Sequence, residues 1–186
     1  MATSPYFAGR LLVAMPGIGD PRFERAVILV CAHDERHAMG LAVNRPVEAL
    51  TLRGLLEKLQ IDPGEAPESP VLLGGPVETE RGFVLHTSDV ASAGDEVGEG
   101  IVLSATREIL ESLAGRRARP RHALMAIGYA GWDEGQLERE IRESVWLTCD
   151  PDDDLVFDDD HASKWARALA KLGVSAERLS AQPGRA

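Results

Sequence analysis

Short apolar runs separated by polar or Gly- and Pro-containing segments recur along the chain and predict strands. The run AVILVCA at 26–32 is continuously apolar and rich in β-branched residues, which is typical of a strand covered on both faces. A polar turn at 33–37 and a returning run at 38–44 predict a hairpin with it. The other predicted strands are 11–15, 71–75, 82–87, 101–105, 121–130 and 145–149.

Apolar residues at helical spacing predict four helices between or after these strands. In the first, leucines recur at i, i+3, i+4 and i+7, and Thr51 is placed to cap its N-terminus. In the third, Asp133 as N-cap with Gln136 three residues later matches a capping box. The predicted helices are 51–60, a segment that runs from Ser104 as its N-cap to Gly115, 132–141 and 161–173.

The order of these elements indicates the fold class. Strands and helices do not alternate regularly, and neighbouring strands are joined by short turns, so a doubly wound parallel sheet is not favoured. We therefore predict an α+β fold with a mixed, largely antiparallel sheet surrounded by helices. We expect one domain over residues 1–186, with flexible ends at about 1–6 and 175–186. The segments 61–70, 88–100 and 150–160 are expected to be loops.

The charge and cysteine content of the chain indicate which kinds of molecule it can bind and where in the cell it is expected. The 186-residue chain has 20 basic and 30 acidic residues and a net charge of −10, which disfavours binding to phosphate backbones. The basic segment 116–122 is the one concentrated exception, but it is broken by a proline and lacks interleaved aromatic residues. Two cysteines and no apolar run of membrane-spanning length favour a protein of the cytoplasm, away from the membrane.

Cys31 and His33 raise the question of thiol chemistry. Two residues apart on a strand, their side chains would share one face, and an imidazole near a thiol can activate it. Asn44 or His86 would then have to orient the base. The alternative is that Cys31 packs as a small apolar residue inside its apolar run. A zinc site using His37 as well lacks a fourth ligand nearby, so we predict no metal.

The Asp-rich segment 150–160 and the Gly-rich turn at 74–76 each resemble a known binding loop without matching it. The acidic segment has neither the glycine nor the glutamate that a calcium-binding EF-hand loop needs at its sixth and twelfth positions. We interpret it as a solvated loop whose last residue, Asp160, caps the final helix. No Lys-Ser or Lys-Thr follows the glycines at 74 and 75, so the turn is not a phosphate-binding loop.

The motif Asn44-Arg45-Pro46 is predicted to end a strand, because Pro46 lacks the N–H that pairing needs. An arginine at a strand end can reach into a cleft and hold a carboxylate or phosphate. The alternative is that Arg45 pairs with an acid of the chain while Asn44 stabilises the turn. Gly74 and Gly75 similarly indicate either a tight turn or a close approach of backbone to another group.

Four long motifs in this order resemble the YqgE/AlgH family. They are GLAVNRP, LLGGPVETERGFVLHT, AIGYAGWDEGQLEREI and LVFDDDHASKWARALAKLG, and the resemblance extends over about residues 7–174. It implies a mixed sheet that is partly closed like a barrel and wrapped by helices. Members have been labelled transcriptional regulators, but the family implies no agreed activity and no agreed catalytic residues. Its pattern associates Arg81 and His86 with the Gly74-Gly75 turn.

We therefore interpret the chain as a non-enzymatic regulatory or binding module of bacterial origin, with direct DNA contact doubtful. The alternative is a thiol-dependent enzyme or redox sensor using Cys31 with a nearby histidine. A third hypothesis is that the domain acts only as a scaffold that binds a protein partner. The exposed aromatic residues expected to contact the partner are Tyr6, Phe7 and Trp132. No catalytic residue, metal or cofactor is assigned, and the partner is an unidentified small ligand or protein. The predicted ligand-binding residues are Asn44, Arg45, Gly74, Gly75, Arg81 and His86.

Overall fold

The computed structural model describes residues 6–175 and residue 177. Ten strands are described: β1 (Leu11–Ala14), β2 (Val27–His33), β3 (His37–Ala42), β4 (Pro46–Thr51), β5 (Pro70–Leu73), β6 (Val77–Thr87), β7 (Asp95–Glu96), β8 (Ile101–Ser104), β9 (Ala123–Asp133) and β10 (Trp146–Cys149). The helices are α1 (Leu52–Lys58), α2 (Arg107–Leu113), α3 (Gln136–Arg142), α4 (Asp153–Phe157) and α5 (Lys164–Lys171), with a 3₁₀ turn at His161–Ser163.

The strands form one strongly curled sheet, a half-barrel, in the order β10-β1-β2-β3-β9-β6-β8-β7. The short strand β4 pairs with β5, and β5 joins the sheet by pairing with β9 in parallel. The other described pairings are antiparallel, as between β2 and β3. The α+β class and the mixed, largely antiparallel, partly barrel-like sheet that the sequence and the resemblance predict are therefore confirmed.

The central strands are buried on both faces, which explains their continuous apolar sequence. Along β1, Leu11 and Val13 face one core, which α4 and α5 cover. Leu12 and Ala14 face a second core, which α3 covers. A third core lies between the other end of the sheet and helices α1 and α2. Each core buries side chains that would otherwise contact water, and this burial is the main force holding helices to the sheet.

Several element boundaries differ from the prediction. Pro46 does not end pairing: it opens β4 and lies opposite Leu72, at an edge where its missing N–H costs no ladder bond. Strand β6 begins at Val77 and not at Gly82, since its polar first half is exposed and gives no apolar signal. The acidic segment contains α4, because Leu155, Val156 and Phe157 are buried against the first core.

Of the four predicted side-chain caps, one is confirmed. The Thr51 hydroxyl accepts a hydrogen bond from the Gly54 N–H at 3.1 Å and begins α1. Ser104 does not cap α2, which begins after Thr106. Asp133 does not cap α3 either: β9 runs through Asp133, and Gly135 precedes the helix in a left-handed conformation. Only the reverse half of the predicted capping box forms, with Gln136 accepting from the Asp133 N–H at 2.9 Å.

Asp160 makes no side-chain cap, and the 3₁₀ turn His161–Ser163 intervenes before α5 begins. Tyr6 and the residues at 175 and 177 are described, but the remainder of the predicted flexible ends lies outside the described residues. In the part of the chain that the structure describes, no helix is long and apolar enough to cross a membrane.

Candidate functional site

A cavity of about 530 Å³ lies against the curled sheet at the edge of the first core. Four strands that are neighbours in the sheet contribute to its wall, with Met39 from β3, Tyr129 from β9, Phe83 from β6 and Leu103 from β8 among the lining residues. Such a volume lies within the range that small-molecule sites occupy. The curl of the sheet therefore gathers these side chains into one concave apolar wall.

Gly131 provides much of the space in this cavity. It lies opposite Met39 in the β3–β9 ladder and lines the cavity without a side chain of its own. A Cβ atom built at Gly131 would lie 3.6 Å from the Tyr129 ring, which is an ordinary contact. A larger residue at this position would therefore fill the cavity without straining the backbone.

The rim of the cavity carries one arginine, Arg81. Its guanidinium lies over the Phe83 ring at 5.0 Å from the ring centroid, a cation–π arrangement. The nearest described carboxylate partner is Glu78, whose Oε2 lies 3.6 Å from the Arg81 Nη1 atom. Partial burial and the nearby Glu78 carboxylate raise the pKa of Tyr129. His37 and Asp133 line the opposite part of the cavity.

Cys31 and His33 do not form the predicted pair on one strand face. Val30 lies opposite Gly40 and Ala32 lies opposite Met39, so Cys31 is an extra residue in the β2 ladder, a β-bulge. A bulge reverses the alternation of side chains that follows it. Cys31 accordingly packs toward the first core, whereas His33 contacts Phe7 on the side of the second core.

The environment of Cys31 opposes thiolate chemistry. Its Sγ donates to the Leu29 carbonyl oxygen at 3.5 Å, and burial raises the pKa of the thiol to about 12. A reactive cysteine needs a pKa below its ordinary value, usually through a nearby cation or helix N-terminus. This geometry gives the thiol-enzyme alternative no support.

His33 is held by structural contacts through both ring nitrogens. Its side chain is 1% exposed. Because the Glu138 carboxylate only accepts, the His33 Nε2–H donates to Oε1 at 2.8 Å, and Nδ1 accepts from the Phe7 N–H at 2.8 Å. The ring also stacks on Phe7. His33 thus attaches the N-terminal segment and α3 to the end of β2.

Asn44 and Arg45 bind the loop that precedes β2, not the cavity. The Asn44 side chain accepts from the Val27 N–H at 3.0 Å and donates to the Arg25 carbonyl at 2.8 Å. Arg45 Nη2 donates to the Glu24 carbonyl at 2.6 Å, and partial burial lowers the pKa of this guanidinium. These contacts correspond to the structural alternative for this motif, although Arg45 contacts backbone carbonyls and not the predicted acid.

Gly74 and Gly75 lie where β5 approaches β9. The Gly74 carbonyl accepts from the Ala42 N–H, and its own N–H donates to the Ile127 carbonyl, both at 2.8 Å. A Cβ atom at Gly75 would lie 2.1 Å from the Tyr129 carbonyl carbon. The close approach that these glycines predict is therefore an approach to the backbone of the sheet itself.

His86 is fully buried and belongs to a hydrogen-bonded chain of side chains inside the sheet. Its Nδ1–H donates to the Thr87 carbonyl at 2.9 Å, so Nε2 accepts from the Ser104 hydroxyl at 2.8 Å. The Ser104 oxygen lies 3.2 Å from the hydroxyl of Ser92, in the loop before β7. His86 does not line the cavity.

Only Arg81 among the predicted ligand-binding residues lines the cavity, while the others stabilise the fold around it. Sequence reasoning missed the apolar wall itself. Its residues look like ordinary core positions in four separate strands, and only in the structure do three of them, Met39, Leu103 and Tyr129, remain half-buried. The signal that was present is Tyr129, a bulky polar-tipped residue in the otherwise small-residue motif at 128–131.

The arginines of the basic segment are all engaged by carboxylates. The four pairs are Arg116–Asp62, Arg117–Glu111, Arg119–Glu65 and Arg121–Asp153. These exposed pairs contribute little stability individually. They nevertheless place negative charge beside each arginine of the one segment that the sequence offers for phosphate contact.

Trp132 is buried and does not form the exposed aromatic surface that the scaffold reading requires. Its ring is 5% exposed, and its Nε1–H donates to Glu140 at 2.7 Å. Phe7 is half-buried against His33, and Tyr6 is 36% exposed. Among the described residues, no group of three or more His, Cys, Asp or Glu side chains is arranged to hold a metal ion.

Fold and site together define an α+β half-barrel protein with an apolar cavity on its sheet and one arginine at the rim. The sequence profile of the family described as AlgH-like matches residues 11–177. The chain therefore belongs to the AlgH-like family.

Relatives in several bacteria match over nearly their whole length. A UPF0301 protein of Caulobacter vibrioides is 59% identical over 97% of this chain and 94% of its own. A UPF0301 protein of Rhizorhabdus wittichii is 47% identical over 96% of each chain. These names state no activity, so they identify the family and not a reaction.

Solved structures show the same fold. The solution structure of AlgH from Pseudomonas aeruginosa has a TM-score of 0.78 at 37% identity, covering 100% of this chain and 99% of that one. Protein DIP2367 from Corynebacterium diphtheriae has a TM-score of 0.76 at 18% identity, covering 98% and 95%. The second likeness concerns the fold alone.

Proposed function

We propose that this protein is a non-enzymatic binding module with a regulatory role, and that its site is the cavity on β3, β9, β6 and β8. The occupant is a small molecule with an aromatic or other apolar body and one anionic group. The observation that carries this proposal is the wall of four apolar side chains beside a single rim arginine. The apolar body would bury against the wall, and the anionic group would bind Arg81.

The position of Arg81 favours an anionic group over a neutral one. Its guanidinium is held above the Phe83 ring, so part of its water shell is already replaced by an aromatic face. A ligand anion placed there gains a planar donor pair without reorganising the side chain. The charge of the whole chain is −10, so this local attraction has to act at short range.

The regulatory role proposed here involves a ligand and a protein partner, not contact with DNA. The paired arginines of the segment 116–122 and the acidic charge of the chain support this choice. We also propose a cytoplasmic location, since Cys31 and Cys149 are free thiols, as is usual in a reducing compartment.

Methyl-detected NMR with naphthoate as the probe tests the proposed site. Naphthoate combines a rigid aromatic body with one carboxylate, and its uncharged analogue naphthalene-methanol has the same body. We expect naphthoate to shift the methyl signals of Met39 and Leu103, which line the wall. Naphthalene-methanol should bind more weakly, because it does not satisfy Arg81.

Two variants and a control make this test specific. Gly131→Leu should abolish the shifts by filling the cavity, and Arg81→Met should weaken naphthoate binding severalfold while leaving naphthalene-methanol unaffected. Arg107→Met removes a similarly exposed arginine on α2 that does not line the cavity, and it should change nothing. Shifts that survive Gly131→Leu, or an unchanged affinity in Arg81→Met, would contradict the proposal.

A further inference from the structure

Arg81 and Tyr129 already contact a carboxylate of the chain itself. Glu78 lies three residues before Arg81, with its Oε2 atom 3.6 Å from the Arg81 Nη1 atom, and its carboxylate also interacts with the Tyr129 side chain. Arg81 and Tyr129 are also the two donors at this side of the proposed ligand cavity. The chain thus places its own anionic group where the ligand's anionic group is expected.

Glu78 is positioned there by an irregular part of the sheet. In the β6–β9 ladder, Val77 lies opposite Tyr129, and the next paired residue of β6, Gly82, lies opposite Ile127. The segment between Val77 and Gly82 is therefore a bulge outside the regular hydrogen-bond ladder. A segment of this kind can shift without breaking the pairing of the strands on either side.

The backbone of Glu78 is strained in this position. Its φ angle is +46°, in the left-handed region that residues with a Cβ atom adopt at a cost. Its carboxylate is 55% exposed, and exposed ion pairs of this kind are weak. Glu78 is therefore held by contacts that a competing carboxylate can replace, and its release would allow the backbone to relax.

We propose that Glu78 is an internal substitute for the ligand, and that a carboxylate-bearing ligand displaces it from Arg81 and Tyr129. This inference rests on the proposed function and specifies the anionic group. One guanidinium and one hydroxyl, arranged around a planar two-oxygen acceptor, match a carboxylate. The empty and occupied states then differ in which carboxylate Arg81 binds.

Comparison of Glu78→Gln with Glu80→Gln provides a matched test. Both residues are exposed acids on the same bulge beside Arg81, and each substitution removes one negative charge. General repulsion of naphthoate falls equally in both variants. Glu78→Gln alone removes the competitor, so naphthoate should bind about two- to fivefold more tightly than to Glu80→Gln, the range expected for losing one exposed ion pair.

Further measurements separate this inference from the proposed function. Naphthalene-methanol should show no gain in Glu78→Gln, and the gain for naphthoate should disappear in the double variant Arg81→Met with Glu78→Gln. If naphthoate binds in the cavity but Glu78→Gln and Glu80→Gln behave alike, internal competition is refuted and the binding site stands. If naphthoate fails to shift Met39 and Leu103 in any variant, the proposed function itself fails.

Discussion

Lys164 is fully buried at the start of α5, where its sequence gives no sign of burial. Its ammonium group donates to the carbonyl oxygens of Val43 and Val156, both at 2.9 Å. It therefore connects the segment after β3 to α4 and α5. Burial lowers the pKa of Lys164 to about 8, and the acidic residues that follow α4 offset only part of that effect.

The lowered pKa of Lys164 predicts how stability changes at alkaline pH. Between about pH 8 and its ordinary pKa of 10.5, the unfolded chain holds this proton more tightly than the folded protein, so the free energy of unfolding gains a contribution that rises with pH. At about 1.4 kcal/mol for each pKa unit, the full contribution is on the order of 3 kcal/mol. Urea unfolding of the wild type and of Lys164→Met between about pH 8 and pH 10.5 measures this contribution to the free energy of unfolding.

The expected result is that the stability of the wild type relative to Lys164→Met increases from about pH 8 toward pH 10.5. Lys58→Met is the control, because Lys58 is exposed at the end of α1 and its removal should leave the pH slope unchanged. Parallel pH profiles for the wild type and Lys164→Met would show that folding does not lower the pKa of Lys164.

At the scale of one element, Cys31 in β2 shows why sequence spacing can give the wrong strand face for a side chain. Two residues apart on a regular strand share a face, so Cys31 and His33 were expected together. One extra residue in the β2 ladder reverses the alternation and directs them to different cores. A bulge depends on how the neighbouring strand pairs, and the sequence of β2 by itself contains no mark of it.

The turn between β5 and β6 provides a prediction at the same scale. A Cβ atom at Gly75 would lie 2.1 Å from the Tyr129 carbonyl carbon and 2.2 Å from the Ala130 nitrogen. Backbone atoms in the middle of a sheet cannot move aside without breaking the ladder. Gly75→Ala should therefore cost about 3 kcal/mol or more of unfolding free energy, or prevent folding, as measured by chemical denaturation.

Gly131→Ala is the matched control for Gly75→Ala. It adds the same methyl group on β9, beside the same Tyr129, but its Cβ meets only the Tyr129 ring at 3.6 Å. Its effect should stay within about 0.5 kcal/mol, as for most substitutions without a specific clash. Equal and small costs for the two variants would mean that β5 does not approach β9 as closely as described.

At the scale of the whole molecule, charge determines the class of partner that the surface can attract. The net charge is −10, and each arginine of the segment 116–122 faces a carboxylate. Fluorescence anisotropy with labelled duplex DNA should show no saturable binding at near-physiological salt, corresponding to a Kd weaker than about 10⁻⁴ M. Saturable binding with a Kd tighter than about 10⁻⁴ M would contradict the proposal of a regulator that does not contact DNA.

Neutralising the carboxylates that pair with this segment tests whether the ion pairs keep its arginines from binding DNA. The combined substitutions Asp62→Asn, Glu65→Gln and Glu111→Gln free three of the four arginines without altering the segment itself. Weak, strongly salt-sensitive DNA binding should then appear, because unpaired arginines can displace counterions from phosphates. The same weak response in the wild type would show that the carboxylates do not shield the segment.

The sequence by itself determined the α+β class, most of the strands, the Thr51 cap and the family. These follow from apolar periodicity, local capping chemistry and long ordered motifs, all of which are properties of neighbouring residues. The family pattern, and not spacing, also pointed to Arg81, which lines the cavity.

Tertiary structure alone decided where the cavity of the proposed site lies. Met39, Phe83, Leu103 and Tyr129 come from four strands that are distant in sequence, and the pairing order and curl of the sheet bring them to one wall. The same long-range pairing buries Lys164 and separates Cys31 from His33. Local sequence encodes which residues favour a strand and which prefer to leave water, whereas the position of an unfilled space depends on how the whole sheet closes.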